Sequence, residues 1–224
     1  HGLDADHLDP SARVDRSLEL QLYAELAHVV RDPLAGLKTG TFFGFTGYGP
    51  LAMLLMSCAD AYEAFQLGIR YQQLTFLFST LRFEPGLQES ALALYPLPLP
   101  EPAYRFRIDG ELSGTHKLIR DMQLSMGLNL HALAIELPYA RPEEAAAYEA
   151  HYHCPVHFTG IGQPARIWLR NEYLKLNFPT ADATSNTLFR RQCDALLEQQ
   201  ASNALENMST RVRRYLEKIG RAHV

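Results

Sequence analysis

Cysteine is scarce in this sequence, and its scarcity excludes a disulfide-stabilised fold. The chain holds only Cys58, Cys154 and Cys193, an odd number that implies no disulfide framework. Free thiols of this kind fit a reducing compartment, so we expect a cytoplasmic protein. Cys58 and Cys193 lie in apolar segments of helical character and are predicted to be small buried hydrophobes, not reactive thiols.

Long apolar runs and targeting signals are also lacking. The longest apolar run, YGPLAMLLMSCA, has about half the length that a helix needs to cross a bilayer. It therefore predicts a buried helix and no membrane partner. No signal peptide is recognisable, and the chain begins at His1 without methionine, which predicts that it is a fragment of a longer protein.

An excess of positive charge and the common catalytic motifs are missing too. The chain has 21 basic and 25 acidic residues, which give a formal net charge of −4. Nucleic-acid binding would therefore need a locally basic segment or a part of the protein outside this chain. No serine elbow, HExxH motif, P-loop or separated pair of carboxylates occurs. The sequence predicts neither an enzyme nor a cofactor.

What the sequence does contain is an ordinary globular composition with clear periodicities. Its 224 residues, 47% of them hydrophobic, suffice for one sizeable domain with a core. Apolar residues repeat at helical spacing near the N-terminus and again from Asn186, whereas short segments between them alternate like strands. The sequence predicts an α+β fold with a helical N-terminal half, a small, mostly antiparallel sheet with crossing helices, and a helical C-terminal tail.

Individual elements follow from these patterns. An amphipathic helix is predicted before Asp32-Pro33, and two apolar helices hinge around Ser57 to Asp60. TFLFSTLRFEPG and ESALALYPLP predict a hairpin, and a long helix follows from about Tyr104 to Met126. Further strands are predicted at HALAIELPY, PVHFT and ARIWLR, with a short helix at RPEEAAAYEAHY.

The segment LAGLKTGTFFGFTGYGP is rich in glycine, which allows two interpretations. A phosphate-binding loop would need a hydrophobic strand before it and a Lys-Ser/Thr pair at its end. Here a helix precedes and Pro50-Leu51 follows, so tight turns between helices are favoured. In the long helix, Gly110 and Gly114 either weaken the helix or let another segment approach closely.

The stretch HYHCPVH has the residue types of a zinc site, since imidazole and thiolate are preferred zinc ligands. Helical phasing points His151 and His153 to different sides, and Pro155 makes Cys154 extended. His157 alternates with apolar neighbours along a strand. No second CxxC or HxxxH completes a site. A helix-to-strand junction is favoured and no metal is predicted, while zinc and a catalytic Cys154–His157 pair stay open.

Polar residues in apolar surroundings suggest a ligand pocket between the sheet and the helices. The alternative for each of them is a solvated face or a salt-bridged edge of the core. Aromatic residues are expected to line the pocket: Phe42, Phe43, Phe45, Tyr48, Phe76, Phe78 and Trp168. The predicted ligand-binding residues are Phe45, Tyr48, Tyr71, Gln72, Phe76, Phe78, Arg107, Glu111 and Trp168.

The order of four segments resembles the N-terminal effector-sensing domain of AraC-type bacterial transcription regulators, in the subgroup with an arabinose-binding-like domain. GLDADHLDPSARV is similar to the lead-in before their first helix, and RDPLAGLKTGTFFGFTGYGPLAMLLMSCADAYEAFQLGIRYQQL resembles their helical core. HYHCPVHFTGIGQPARIWLRNEYLKLNFPTAD resembles their Cys-Pro-Val-x-Phe junction and the strand after it. The tail STRVRRYLEKIG resembles the first helix of the DNA-binding domain that follows in such regulators.

The resemblance implies how the chain is divided and what it binds. Residues 1–203 would form an effector-sensing regulatory domain, and residues 204–224 a connector and the first helix of a truncated DNA-binding domain. Arg211, Arg213 and Arg214 would form a local basic patch, but the helix-turn-helix elements are absent, so this chain is expected to bind DNA poorly itself.

The partners that the resemblance implies are a small-molecule effector of unknown identity and, through the missing domain, DNA. The Met- and Phe-rich interior favours an apolar or amphipathic effector over a free sugar. A homodimer is possible, and a dimerisation module without a ligand is the structural alternative.

Overall fold

The N-terminal half of the protein is helical, as the sequence predicts. The computed structural model describes residues 15–221, and their side chains up to residue 203. The first helix begins where the Asp15 carboxylate accepts a hydrogen bond from the Ser17 backbone N–H, which satisfies one free donor of the first turn. The helices of this half are α1 (Arg16–Val29), α2 (Ala35–Gly40), α3 (Pro50–Met56) and α4 (Ala61–Arg70), with short 3-10 turns at Phe45–Tyr48 and Gln72–Leu74.

A five-stranded sheet follows, and it is mostly antiparallel as predicted. Its strands are β1 (Thr80–Glu84), β2 (Glu89–Tyr95), β3 (Ala134–Leu137), β4 (Val156–Phe158) and β5 (Ala165–Arg170). They lie in the order β1-β2-β5-β3-β4, and only the β3–β4 pair is parallel. β4 and β5 follow one another in the chain but are not neighbours, because β3 lies between them.

The remaining helices cover the sheet and extend beyond it. They are α5 (Ala103–Ser125), α6 (Ala145–Tyr152), α7 (Asn171–Leu174) and α8 (Ala183–Arg221). α8 runs without a break across positions 203 and 204, where the sequence predicts a domain boundary; that division stays a prediction. The three arginines of the predicted basic patch, Arg211, Arg213 and Arg214, lie outside the described side chains.

Glycines allow α2 and α5 to touch backbone to backbone. A Cβ on Gly40 would lie 2.5 Å from the Gly110 carbonyl oxygen, and one on Gly36 would lie 2.4 Å from that of Phe106. Only glycine fits such a contact. In α5 the close approach requires Gly114, where a Cβ would lie 2.6 Å from the Phe76 ring, whereas a Cβ on Gly110 would lie 3.4 Å from the Gly36 carbonyl oxygen, an ordinary contact. The glycine-rich segment forms helices and turns.

Two hydrophobic cores lie on different sides of α5. The sheet core joins α5 to the strands and to α6, and its centre includes Leu94, Ile108 and Ile135. The helical core joins α3, α4 and the second half of α5 to α8, and its centre includes Leu54, Leu67 and Cys193. Across the described part of the chain, no helix is long and apolar enough to span a membrane.

Candidate ligand-binding site

A cavity of about 100 Å³ lies between the two cores. Its walls are α3 and α4 on one side, the second half of α5 on another, and the inner face of the sheet with α7 on a third. The residues that line it are Tyr48, Leu51, Leu55, Ala61, Ala64, Phe65, Gly68, Thr75, Phe76, Leu77, Leu81, Leu92, Thr115, Leu118, Ile119, Met122, Gln123, Met126, Leu128, Leu130, Leu169, Tyr173, Leu174 and Phe178.

The lining is almost entirely apolar. None of the described residues around the cavity carries a formal charge. The hydroxyl protons of its two threonines are already donated: Thr75 donates to the Gln72 carbonyl at 2.6 Å, and Thr115 donates to the Glu111 carbonyl at 2.8 Å. Such a lining favours ligands that bring apolar surface and few polar groups.

Tyr48 carries the fully buried, unpaired polar group of this lining. Its side chain is 9% exposed, and its hydroxyl has no hydrogen-bond partner among the described residues. Its ring packs edge-on against the Phe76 ring, with centroids 6.0 Å apart. Burial raises the pKa of the hydroxyl, so it is neutral at physiological pH. The Arg105 Nε atom and the Tyr152 hydroxyl are also buried without a hydrogen bond, but neither residue lines the cavity.

The predicted binding residues separate into groups in the structure. Tyr48 and Phe76 line the cavity, and Phe45 packs beside them against the helical core. Gln72 turns away: its Oε1 accepts from the Leu81 backbone N–H at 2.8 Å, at the start of β1. Trp168 lies on β5, where Ile167 and Leu169 point to the core and Trp168 to the other face of the sheet.

Arg107 and Glu111 form a buried ion pair that holds the segment before β1. Their Nε and Oε1 atoms are 2.7 Å apart, and the two side chains are 7% and 1% exposed. Glu111 also accepts from the backbone N–H groups of Phe78 and Ser79, at 2.9 and 3.0 Å. Arg107 donates to the Phe76 carbonyl. The pair therefore positions the Phe76 backbone beside the cavity and does not itself line it.

Phe78 belongs to a second, more polar groove. The guanidinium groups of Arg16 and Arg107 lie over its ring, at 4.1 and 4.3 Å from the centroid. The groove has a volume of about 420 Å³ and includes Gln72 together with Gln200 of α8. Of the nine predicted binding residues, two line the cavity, two line this groove and five line neither. Phe42, predicted to line the pocket, is 85% exposed and lies outside both.

α8 rests on the outer side of the helices that form the cavity wall. The Tyr71 hydroxyl donates to Asp194 at 2.7 Å, and Arg70 forms an ion pair with the same carboxylate at 3.2 Å. Arg190 pairs with Glu63 of α4 at 3.4 Å. Tyr71, a predicted binding residue, therefore links α4 to α8. Its pKa is raised to about 12, chiefly by burial and then by the bond to Asp194.

The HYHCPVH stretch forms the predicted helix-to-strand junction. α6 ends at Tyr152, His153 takes a left-handed conformation with φ 55°, and β4 begins at Val156. Ser113 donates to the Leu37 carbonyl, and His151 Nε2 lies 2.9 Å from the Ser113 oxygen.

The chemistry of a metal or catalytic site is not assembled there. Within the described part of the chain, no group of three or more His, Cys, Asp or Glu residues is placed to hold a metal ion. Burial raises the pKa of the Cys154 thiol to about 11, which disfavours the reactive thiolate. His157 is exposed on β4.

Most of the wall is formed by apolar residues that the sequence does not distinguish from ordinary core. Ala64 and Gly68 of α4 lie one helical turn apart on the inner face, and Leu118, Met122 and Met126 of α5 follow the same spacing. The signal available in the sequence was this helical stripe. It predicts burial but does not tell a filled core from a cavity.

Comparison with known proteins gives a family match and a structural match. The family described as "Arabinose-binding domain of AraC transcription regulator, N-term" matches residues 1–178. The crystal structure of the transcriptional regulator CdpR from Pseudomonas aeruginosa is similar, with a TM-score of 0.60 and 21% identity. The match covers 79% of this chain and 61% of that one, so the chain spans less than two thirds of its length. Among curated proteins, none matches.

Proposed function

The chain belongs to the family of AraC transcription regulators, through their N-terminal arabinose-binding domain, and on this premise we propose that it senses a small-molecule effector and controls a DNA-binding domain. That family consists of transcription regulators and not of enzymes, in line with the sequence. The DNA-binding domain would belong to a part of the protein outside this chain. A regulator of this kind acts in the cytoplasm.

One observation carries the proposal: the helices that line the cavity are the helices on which α8 rests. Leu51 and Leu55 of α3 face the cavity, whereas Cys58, just after α3, lies within 3.7 Å of Asn186 on α8. A ligand that moves α3 or α4 therefore changes the surface that holds α8. An effector shifts such an equilibrium only by its difference in affinity for the two states.

Filling the cavity with a side chain tests this proposal. Gly68 lines the cavity on α4, and a Cβ there would meet only Leu55 Cδ2, at 4.0 Å. Gly68→Leu should place apolar atoms where the effector binds. Because leucine is a better helix former than glycine, the substitution should not weaken α4. In a regulator that carries this chain and its DNA-binding domain, we expect a reporter gene to lose its response to the effector.

The matched control is Gly44→Leu. Gly44 has an ordinary φ of −72° and open space at its Cβ, and it does not line the cavity. The control should keep the response. A Gly68→Leu regulator that responds like the wild type would contradict the proposal, and so would a titration panel of metabolites in which no ligand changes operator binding.

A dimerisation module is a second candidate because α1 ends in exposed apolar side chains. Leu26 is 42% exposed, Val29 73% and Val30 37%. Apolar surface of this kind suits contact with a second copy of the chain. Sedimentation of the wild type beside a Val29→Lys variant tests it: a dimer that the substitution dissociates supports the module, and a monomer in both cases opposes it.

A further inference from the structure

The effector class can be inferred from the apolar lining of the cavity and from Tyr48, the lining residue among those described whose fully buried hydroxyl has no hydrogen-bond partner. We propose that the cavity takes a neutral, mostly apolar molecule that presents a single hydrogen-bonding group to the Tyr48 hydroxyl. The inference rests on the proposed function, because it names the ligand class of the same cavity.

The main observation is that the Tyr48 hydroxyl lacks a hydrogen-bond partner among the described residues. Tyr48 lines the cavity, and its hydroxyl is buried. A buried hydroxyl that gives up its water bonds and finds no protein partner is destabilising, so a folded protein usually pairs it. The threonine hydroxyls beside it are already bonded to backbone carbonyls. A bound molecule with one donor or acceptor would complete the pairing at Tyr48.

The charges around the cavity disfavour an ionic ligand. No described lining residue is charged, and an unpaired ion in an apolar site is strongly disfavoured. The nearby carboxylate of Asp121 is paired with Lys117 at 2.7 Å, so it offers little net charge to a bound ion of either sign. The ligand is therefore neutral.

The polarity of the cavity disfavours a free sugar such as arabinose. A sugar brings several hydroxyls, whereas the described lining is almost entirely apolar, so most of those hydroxyls would be buried unpaired. The volume of about 100 Å³ is about two thirds of the roughly 150 Å³ that holds benzene in an engineered apolar cavity, so a ring would need a small adjustment of the wall. Met122 and Met126 border the space, and their flexible side chains can adapt to a ring of that size.

Phenol and benzene form a matched pair of probes, since they differ by one hydroxyl. We would measure their affinities for the 224-residue chain by ligand-observed NMR, with the wild type, Tyr48→Phe and Tyr152→Phe. Tyr48→Phe should weaken phenol binding roughly tenfold, because the phenol hydroxyl loses its partner. Benzene binding should change less than twofold.

Tyr152→Phe is the control because it also removes a buried, unpartnered hydroxyl, but from a residue outside the cavity. It should leave the affinities of both probes unchanged. Benzoate and arabinose serve as the ionic and the sugar probes, and neither should bind measurably.

Three results would overturn the inference: no phenol binding to the folded wild type, equal losses of phenol and benzene in Tyr48→Phe, or tighter binding of benzoate or arabinose than of phenol. These outcomes are distinct from failure of the proposed function. Tyr48-dependent phenol binding, combined with a Gly68→Leu regulator that still responds to its effector, would support the ligand class and reject the regulatory role. If the Gly68→Leu regulator loses its response and the chain binds arabinose more tightly than phenol, the regulatory role is supported and the ligand class is rejected.

Discussion

Helix α5 separates two buried regions that differ in how completely their polar groups are paired. Beside its first half lies a polar network in two parts, Arg107 with Glu111 and Asp109 with Tyr139 and Tyr148. Each of these side chains makes a hydrogen bond, although the Nε atom of the neighbouring Arg105 makes none among the described residues. Beside its second half lies the cavity, where the Tyr48 hydroxyl has none among the described residues. The paired region holds the fold together, and the unpaired one is where a ligand has something to add.

The largest effect should come from breaking the ion pair of the network. Arg107→Met leaves the carboxylate of Glu111 buried, at 1% exposure, without a cation beside it. Removing one partner of a buried pair costs about 3–5 kcal/mol, so we expect a loss of this size in the free energy of unfolding. Urea unfolding measures it.

The control for this variant is the double substitution Arg107→Met with Glu111→Gln. The buried charge is then gone, and the glutamine can still accept from the segment before β1. The double variant should recover part of the lost stability. A cost below about 1 kcal/mol for Arg107→Met alone would mean that the network is not structural.

The next effect is the pH dependence that Asp109 adds to stability. Burial raises the pKa of this carboxyl from 3.8 to about 7, although Tyr139 and Tyr148 donate hydrogen bonds to it. A folded-state pKa above the unfolded value gives stability that is complete below about pH 3.8 and is lost as the pH rises through about 7. Asp109→Asn should remove this loss.

His116 contributes a pH dependence of the opposite sign to the free energy of unfolding. Subtracting the variant's free energy of unfolding from that of the wild type at each pH leaves the contribution of Asp109 alone. Burial lowers the pKa of His116 from 6.5 to about 3, so its contribution is lost as the pH falls below 6.5. Unfolding in urea at several pH values from 4 to 8 checks the prediction. Parallel curves for wild type and Asp109→Asn would refute it.

The smallest effects come from removing one tyrosine hydroxyl on each side of α5. Tyr139 donates to Asp109, so Tyr139→Phe removes one of two donors from a buried carboxyl and should cost about 1–3 kcal/mol. Tyr48→Phe removes a hydroxyl without a partner and should cost about 0 kcal/mol or stabilise the protein. Equal costs in thermal unfolding would remove the distinction between the two regions.

The sequence predicts a helix or strand well where the residues of that element alone determine its structure. The long helix is expected from about Tyr104 to Met126 and is observed from Ala103 to Ser125. The predicted first strand begins too early, because the backbone N–H groups of Phe78 and Ser79 bond to Glu111 instead of a neighbouring strand. Glu111 lies on α5, 33 positions after Phe78 and 32 after Ser79. The local sequence pattern around the strand does not reveal a partner at that distance.

The site is less predictable for the same reason. Polar residues in apolar segments attract attention, but the sequence does not say which of them are partners of one another. Arg107 and Glu111 prove to be such partners, Tyr71 bonds to α8, and Tyr48 alone among the predicted polar residues has a free hydroxyl at the cavity. A cavity is a property of how several helices pack together, so no single apolar stripe predicts it.

The most direct test of the central claim is a crystal structure of this chain soaked with phenol. We predict electron density for one ring in the cavity between α3, α4 and α5, with its oxygen within hydrogen-bond distance of the Tyr48 hydroxyl. An empty cavity with phenol bound in the groove beside Gln72 and Phe78 would contradict the account, as would a ring in the cavity whose oxygen points away from Tyr48.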